Sequence, residues 1–202
     1  MTAAASVDPR LRLKIVAAYA VIYLVWGSTF LAIRFGVREL PPLLFGGARF
    51  LLAGALLTVV ALWLRERFPR TGREWRYLLL FSLLMITFSN GVSTVALVHI
   101  PSNEGALLSA GSALWIAWLG ALGPRGHALT MRGTLGLLLG LAGVLLLVWP
   151  RDATPSGYFG WQALVLVSSL SWSVGTILYR NAQLPVGPVA FNAVMMTFGG
   201  TW

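Results

Sequence analysis

The sequence predicts an all-α protein: a polytopic transmembrane helix bundle arranged as an inverted five-helix repeat, with seven helices present and the last incomplete. Three observations carry this expectation. Of the 202 residues, 57% are hydrophobic and only 10% are charged, against about 25% charged in an ordinary soluble domain. The apolar residues gather into seven runs, approximately 15–35, 43–64, 76–98, 103–123, 133–149, 158–180 and 187–202. The runs lack period-two alternation and exceed the roughly ten residues of a barrel strand, which makes them helices. A mean hydropathy of +0.79 excludes a soluble enzyme and a disordered tail. The absence of cysteine excludes a disulfide scaffold and a thiolate metal site.

The elements follow in order. Arg10, Arg12 and Lys14 lead into an apolar stretch from Ile15 to about Ile33. It is longer than a signal-peptide core of about 7–15 residues and has no small-x-small cleavage site, so it is a retained first span. Pro41-Pro42 separates spans 1 and 2, and the segment Arg65 to Arg76 separates 2 and 3. Pro101-Ser102-Asn103 separates 3 and 4, Gly123-Pro124-Arg125-Gly126 separates 4 and 5, Pro150 to Gly157 separates 5 and 6, and Pro185 to Pro188 separates 6 and 7. Proline lacks an N–H and disfavours helix in the residue before it.

Orientation follows from the basic residues, which favour the cytoplasmic side. With the N-terminus inside, the cytoplasmic segments hold Arg10, Arg12, Lys14, Arg65, Arg67, Arg70, Arg73, Arg76, Arg125, Arg132 and Arg180, 11 of the 15 Lys and Arg. The expected location is therefore a bacterial-type cytoplasmic (inner) membrane, multi-pass, with the N-terminus cytoplasmic.

One internal offset relates the two halves. Trp26 and Trp172 are 146 residues apart, and the same shift carries Arg34 onto Arg180, Pro42 onto Pro188 and Phe45 onto Phe191. Span 1 maps onto span 6 and span 2 onto span 7. Five helices per unit is an odd number, so the second copy enters from the opposite face, an architecture common in secondary transporters. The expected organisation is a cytoplasmic segment 1–14, a first unit of five helices at 15–150 and the start of a second at 151–202. Residue 202 then corresponds to the middle of span 2, so the sequence is expected to be a piece of a longer protein.

The motifs are specific in combination. Trp26-Gly27-Ser28-Thr29-Phe30 leads through Ala32-Ile33-Arg34-Phe35-Gly36 and Pro41-Pro42 to Arg49-Phe50-Leu51-Leu52-Ala53-Gly54. Asn90-Gly91, Ile100-Pro101-Ser102 and Ala106-Leu107-Leu108 follow, and then Leu129-Thr130, Gly136, Gly140 and Gly143-Val144-Leu145-Leu146. From about residue 17 onward the chain resembles the EamA-type permeases of the drug/metabolite transporter superfamily. The resemblance implies a ten-helix carrier of two five-helix units, moving amino acids, metabolites or drugs across the cytoplasmic membrane, often outward. The chain departs from the family pattern at Gly123-Pro124-Arg125, where a Gly-Glu pair is frequent, and at Glu104, where a small residue is usual.

A carrier needs polar groups near the bilayer midplane, facing a cavity. The candidate substrate-binding residues are Trp26, Ser28, Thr29, Asn90, Thr94, Trp172 and Ser173. Each has a bland reading beside the functional one. The Ser28 and Thr29 hydroxyls either meet substrate or bond back to their own helix. Trp26 either stacks a solute or packs, and Trp172 and Ser173 share the alternatives by symmetry. Asn90, Ser93 and Thr94 form a polar patch, with Asn90 and Thr94 four apart on one face, either for ligand or for a neighbouring helix. Arg49, about 9 Å into span 2, either attracts an anion, pairs with Glu104, or snorkels. Glu104, beside His99 and Asn103, either relays protons or sits at a helix N-terminus that favours its charge. Small residues at Ala106, Ala110, Ala113 and Ala117, at Gly136 and Gly140, and at Ser171 and Gly175 read as close helix packing. Trp115 and Trp118 belong to an aromatic belt, or Trp115 reaches the cavity.

The leading function is a secondary transporter of small organic solutes, with a small-molecule substrate and the lipid bilayer as partners, no nucleic acid and no cofactor. A phosphate-binding loop for ATP, a His-Glu-x-x-His metal motif and a Gly-x-Ser-x-Gly elbow are all missing, and His99 and His127 are the only histidines. No catalytic residue and no metal site is therefore expected. The alternative is a non-transporting scaffold or half-carrier completed by partner chains, a homodimer being one version.

Overall fold

The computed structural model describes residues 9–122, 126, 129–149 and 158–201. Seven helices, and no strands, are found among them: α1 (Pro9–Glu39), α2 (Pro42–Trp63), α3 (Gly72–Ala96), α4 (Ser102–Leu122), α5 (Met131–Val148), α6 (Tyr158–Ala182) and α7 (Pro188–Gly200). Five of them, α1, α2, α3, α4 and α6, are long and apolar enough to cross a membrane. The breaks expected at Gly123-Pro124-Arg125 and from Pro150 to Gly157 lie outside the described residues, as do His127, Trp202 and residues 1–8 of the N-terminal segment.

The helix starts have local chemical causes. Pro42 and Pro188, the pair related by the 146-residue offset, each stand at the opening of a helix, where a missing N–H costs nothing. At α3, Thr71 Oγ1 accepts the Glu74 N–H and the Glu74 carboxylate accepts the Thr71 N–H, a reciprocal capping box. This corrects the expected start near residue 76. Arg73 and Arg76 ride on the first turns of α3 rather than in a loop, because the cap, which an apolar run does not register, begins the helix earlier.

Two helices carry irregularities at depth. Within α3, α-helix runs to Phe81, π-helix from Ser82 to Asn90 and α-helix again from Gly91 to Ala96. A widened turn loosens backbone carbonyls, and in a membrane these must find partners inside the protein. Asn90 Nδ2 donates to the Met85 carbonyl at 2.7 Å, and Ser171 Oγ of α6 donates to the Leu84 carbonyl at 2.8 Å. In α4 the helix breaks at Gly111, between Ala110 and Ser112. Next to the break, the Ser112 carbonyl accepts Ser173 Oγ at 3.1 Å, a hydroxyl that also lies 2.7 Å from the Ser169 carbonyl of its own helix.

Two apolar clusters hold the bundle. Leu78, Phe81, Met85 and Ile86 of α3 pack with Phe191, Val194 and Met195 of α7. Ile33 of α1, Leu97 and Ile100 after α3, Leu108 of α4, Val148 of α5 and Val165 of α6 form the second. Lipid is as apolar as these side chains, so their contribution is close packing. Consistent with that, the tightest approach is made by glycine. A Cβ on Gly47 of α2 would lie 2.8 Å from the Gly200 carbonyl oxygen of α7, and one on Gly200 would lie 2.9 Å from the Leu51 nitrogen. The expected small-residue stripes pack in part: Gly175 meets Met85 and Gly140 meets Leu114, whereas Gly136 faces open space. α1 flanks the bundle, with Tyr23, Leu24 and Val25 exposed and Ile33 buried.

Candidate functional site

The two ends of the bundle are closed by different chemistry. At the arginine-rich end, α2 and α6 stop at Arg65 and Gln183, both in the left-handed region at φ 53° and 47°. The loop after α2 then clamps the α6–α7 junction. Glu66 Oε2 accepts the N–H groups of Val189 and Ala190, each at 2.8 Å, and so caps α7 from another part of the chain. The Arg67 carbonyl accepts the Gly187 N–H at 2.9 Å, and its guanidinium donates to the Pro185 carbonyl. A second guanidinium nitrogen bonds Glu74 Oε1 at 2.8 Å. Gly187 lies directly against the Glu66 carboxyl, with no room for a side chain.

At the opposite end, Arg34 donates to the Leu97 and Val98 carbonyls, tying α1 to the end of α3. Glu104 of α4 accepts hydrogen bonds from Tyr158 OH and Gln162 Nε2 of α6. Glu104 therefore does not cap its own helix, which starts without a side-chain cap, and does not pair with Arg49. His99 stacks on Trp161, with ring centroids 3.8 Å apart.

Between the ends lies a small cavity of about 50 Å³, room for one or two waters. Pro42, Leu43, Gly46, Gly47 and Phe50 of α2 line one wall, Ile86, Thr87, Asn90 and Gly91 of α3 a second, and Gly199 and Gly200 of α7 the third. Thr87 Oγ1 donates to the Gly199 carbonyl at 3.2 Å across it. Drug-sized solutes fill pockets of roughly 300–1,000 Å³, so the cavity in this arrangement of the helices is too small to hold one. The Arg49 guanidinium lies 4.7 Å from the centroid of the Phe50 ring, the same ring that lines the cavity.

The predicted residues sort themselves as follows. Asn90 lines the cavity, and Thr94, fully buried, donates from its hydroxyl to the Asn90 carbonyl at 2.7 Å. Trp26 and Trp172 meet edge to face at 6.4 Å, and Trp172 packs on the cluster that contains Ile86 and Phe50. Ser28 and Thr29 both donate to the Val25 carbonyl, at 3.1 and 2.8 Å. Ser173 is buried and bridges α6 to α4, and Ser93 and Ser168 hydroxyls join α3 to α6 at 2.6 Å. Trp115 and Trp118 lie 6.2 Å apart along α4. Sequence reasoning missed Phe50, Thr87, Tyr158, Gln162 and Glu66. The doublets Gly46-Gly47 and Gly199-Gly200 were the available signal for a close helix contact.

Comparison with known proteins bears on this arrangement. The chain is 33% identical over 189 residues to a protein of Escherichia coli (strain K12) named "Uncharacterized inner membrane transporter YedA", covering 93% of this chain and 60% of that one. It is 28% identical over 207 residues to the "Uncharacterized transporter YvbV" of Bacillus subtilis (strain 168), covering 96% and 62%. It is 30% identical over 183 residues to an "Uncharacterized transporter" of Archaeoglobus fulgidus, covering 89% and 62%. The chain thus spans about three-fifths of the length of these relatives. No solved structure matches it. The model of the EamA-like transporter family matches residues 13–149, and with these multi-pass apolar helices the chain belongs to that family.

Proposed function

We propose that the chain is the larger part of a secondary carrier for small organic metabolites, amino acids or drugs, working in the cytoplasmic membrane. In this reading residues 15–150 form one five-helix unit and residues 151–202 open an inverted second. The arginine-rich end faces the cytoplasm, as the basic residues favour. Solute binds near Asn90, Phe50 and the Trp26–Trp172 pair, and access alternates as one unit rocks against the other.

The observation that carries the reading is the symmetry of the contacts. Gly54 meets Thr197 and Gly200 meets Leu51, and the 146-residue offset exchanges these two contacts with each other. Two copies related by a two-fold axis in the membrane plane make such reciprocal contacts. Membership of the EamA-like family and the relatives' names as transporters support the same reading. The two end clamps give it moving parts: one set of polar ties breaks while the other holds.

An efflux and uptake screen on the full-length protein in cells and in everted vesicles tests it. Trp26→Ala and Asn90→Ala are expected to reduce transport of a substrate found in the screen, with normal membrane abundance. A scaffold or half-carrier without transport activity moves no solute in either direction, and that result sinks the proposal.

A further inference from the structure

The charged side chains inside the bundle do not balance. Among the described residues the acidic groups are Glu39, Glu66, Glu74 and Glu104. Glu39 is exposed at the end of α1. Glu66 caps α7, Glu74 holds Arg67 and the start of α3, and Glu104 holds Tyr158 and Gln162. None reaches Arg49. The other arginines near helix interiors are provided for: Arg34 is spent on two carbonyls, and Arg180 is exposed in the last turn of α6. Arg49 has no hydrogen-bonding or carboxylate partner among the described residues; what lies against it is the Phe50 ring.

Its position makes that costly. Arg49 stands seven residues past Pro42, about 10 Å along α2. It is half-buried, between buried Gly46 and the exposed stripe formed by Leu44, Leu52, Leu56 and Val59, on whose flank it lies three residues before Leu52 and seven before Leu56. A guanidinium keeps its charge at any working pH, and a charge held in apolar surroundings requires an anion or strong acceptors. A planar fork stacked on an aromatic ring keeps its N–H edges free for a carboxylate.

We infer that Arg49, which lies beside the cavity against the ring of the cavity-lining Phe50, is the docking point for an anionic oxygen group, the carboxylate of the transported solute. The substrate class is therefore carboxylate-bearing solutes, and neutral or purely cationic compounds bind poorly. The inference rests on the carrier reading above, and its test reads binding rather than movement. A lipid phosphate has the same chemistry, so the experiment separates the two sources.

The full-length protein is placed in nanodiscs of phosphatidylcholine alone or with phosphatidylglycerol, and its thermal unfolding is followed by tryptophan fluorescence. The probes are aliphatic and aromatic monocarboxylates, amino acids included, each paired with its own carboxamide. In phosphatidylcholine, at least one carboxylate is expected to raise the unfolding midpoint while its amide does not. Arg49→Lys, which keeps the charge but loses the fork, is expected to weaken that carboxylate roughly tenfold or more. Phe50→Leu, which leaves the charge in place, is expected to weaken it several-fold. Three results overturn the inference: no carboxylate separates from its amide; Arg49→Lys and Phe50→Leu both bind as the parent does; or Arg49-dependent stabilisation comes from phosphatidylglycerol alone. Discrimination without any transport sinks the carrier reading and leaves this assignment standing.

Discussion

Trp26 of α1 and Trp172 of α6 touch edge to face, with ring centroids 6.4 Å apart and planes at 87°. They stand 146 residues apart in the sequence, the separation that also relates Pro42 to Pro188 and Gly54 to Gly200. In the inverted repeat proposed above, a residue that contacts its counterpart lies close to the axis relating the two units, where a carrier receives its solute from both sides.

The first prediction follows from that contact. A double-mutant cycle of Trp26→Ala and Trp172→Ala, read by thermal unfolding in detergent, is expected to give a coupling of about 0.5–1.5 kcal/mol, the range for well-placed aromatic pairs. Additive losses would mean the two rings merely neighbour one another.

A second concerns the α2–α7 seam. Gly54 lies directly against Thr197, so Gly54→Val must push the helices apart. The expected cost is about 1–3 kcal/mol of stability, measured as a lowered unfolding midpoint, together with loss of transport. Gly136→Ala is the control: nothing lies within 4 Å of its Cβ position, and it is expected to behave as the parent.

A third tests the clamp at the arginine-rich end. Glu66→Ala leaves the N–H groups of Val189 and Ala190 without their acceptor. Loss of a helix cap costs about 1 kcal/mol. Hydrogen exchange at those two amides is expected to accelerate, while exchange in α3 around Leu78 stays unchanged. In the alternating-access reading the same variant opens this end more often, and a cysteine placed at Val186 becomes more reactive to a membrane-impermeant thiol reagent.

A fourth uses backbone strain. Gln183 closes α6 at φ 47°, a conformation that costs a residue with a Cβ roughly 1 kcal/mol. Gln183→Gly is expected to raise the unfolding midpoint with transport retained, as glycine is the residue that ends helices in this way most easily.

How much of this was legible in the chain depends on the kind of signal. The fold class, the seven helices and their order were readable, because each helix in lipid must be a continuous apolar run and the breaks carry proline and arginine. The 146-residue offset was readable, and Trp26 and Trp172, two residues that it relates, are in contact. The start of α3 was displaced because a capping box, not hydropathy, sets it. The site was legible only in part. Asn90 was picked out as a polar group at depth and does line the cavity, but its amide is engaged with the Met85 carbonyl of the π-helical stretch. Ser28 and Thr29 carry the same polar signal and bond back to Val25.

By itself, then, the sequence determined what is one-dimensional: where helices run and where they end, since hydropathy and turn chemistry act over a few neighbouring residues. Tertiary structure alone decided which polar groups are spent and which are left over. Glu104 found Tyr158 and Gln162, 54 and 58 residues away, Glu66 found α7, and Arg49, among the described residues, found only an aromatic ring. Partners at such separations are selected by helix packing in three dimensions, and no local pattern encodes them.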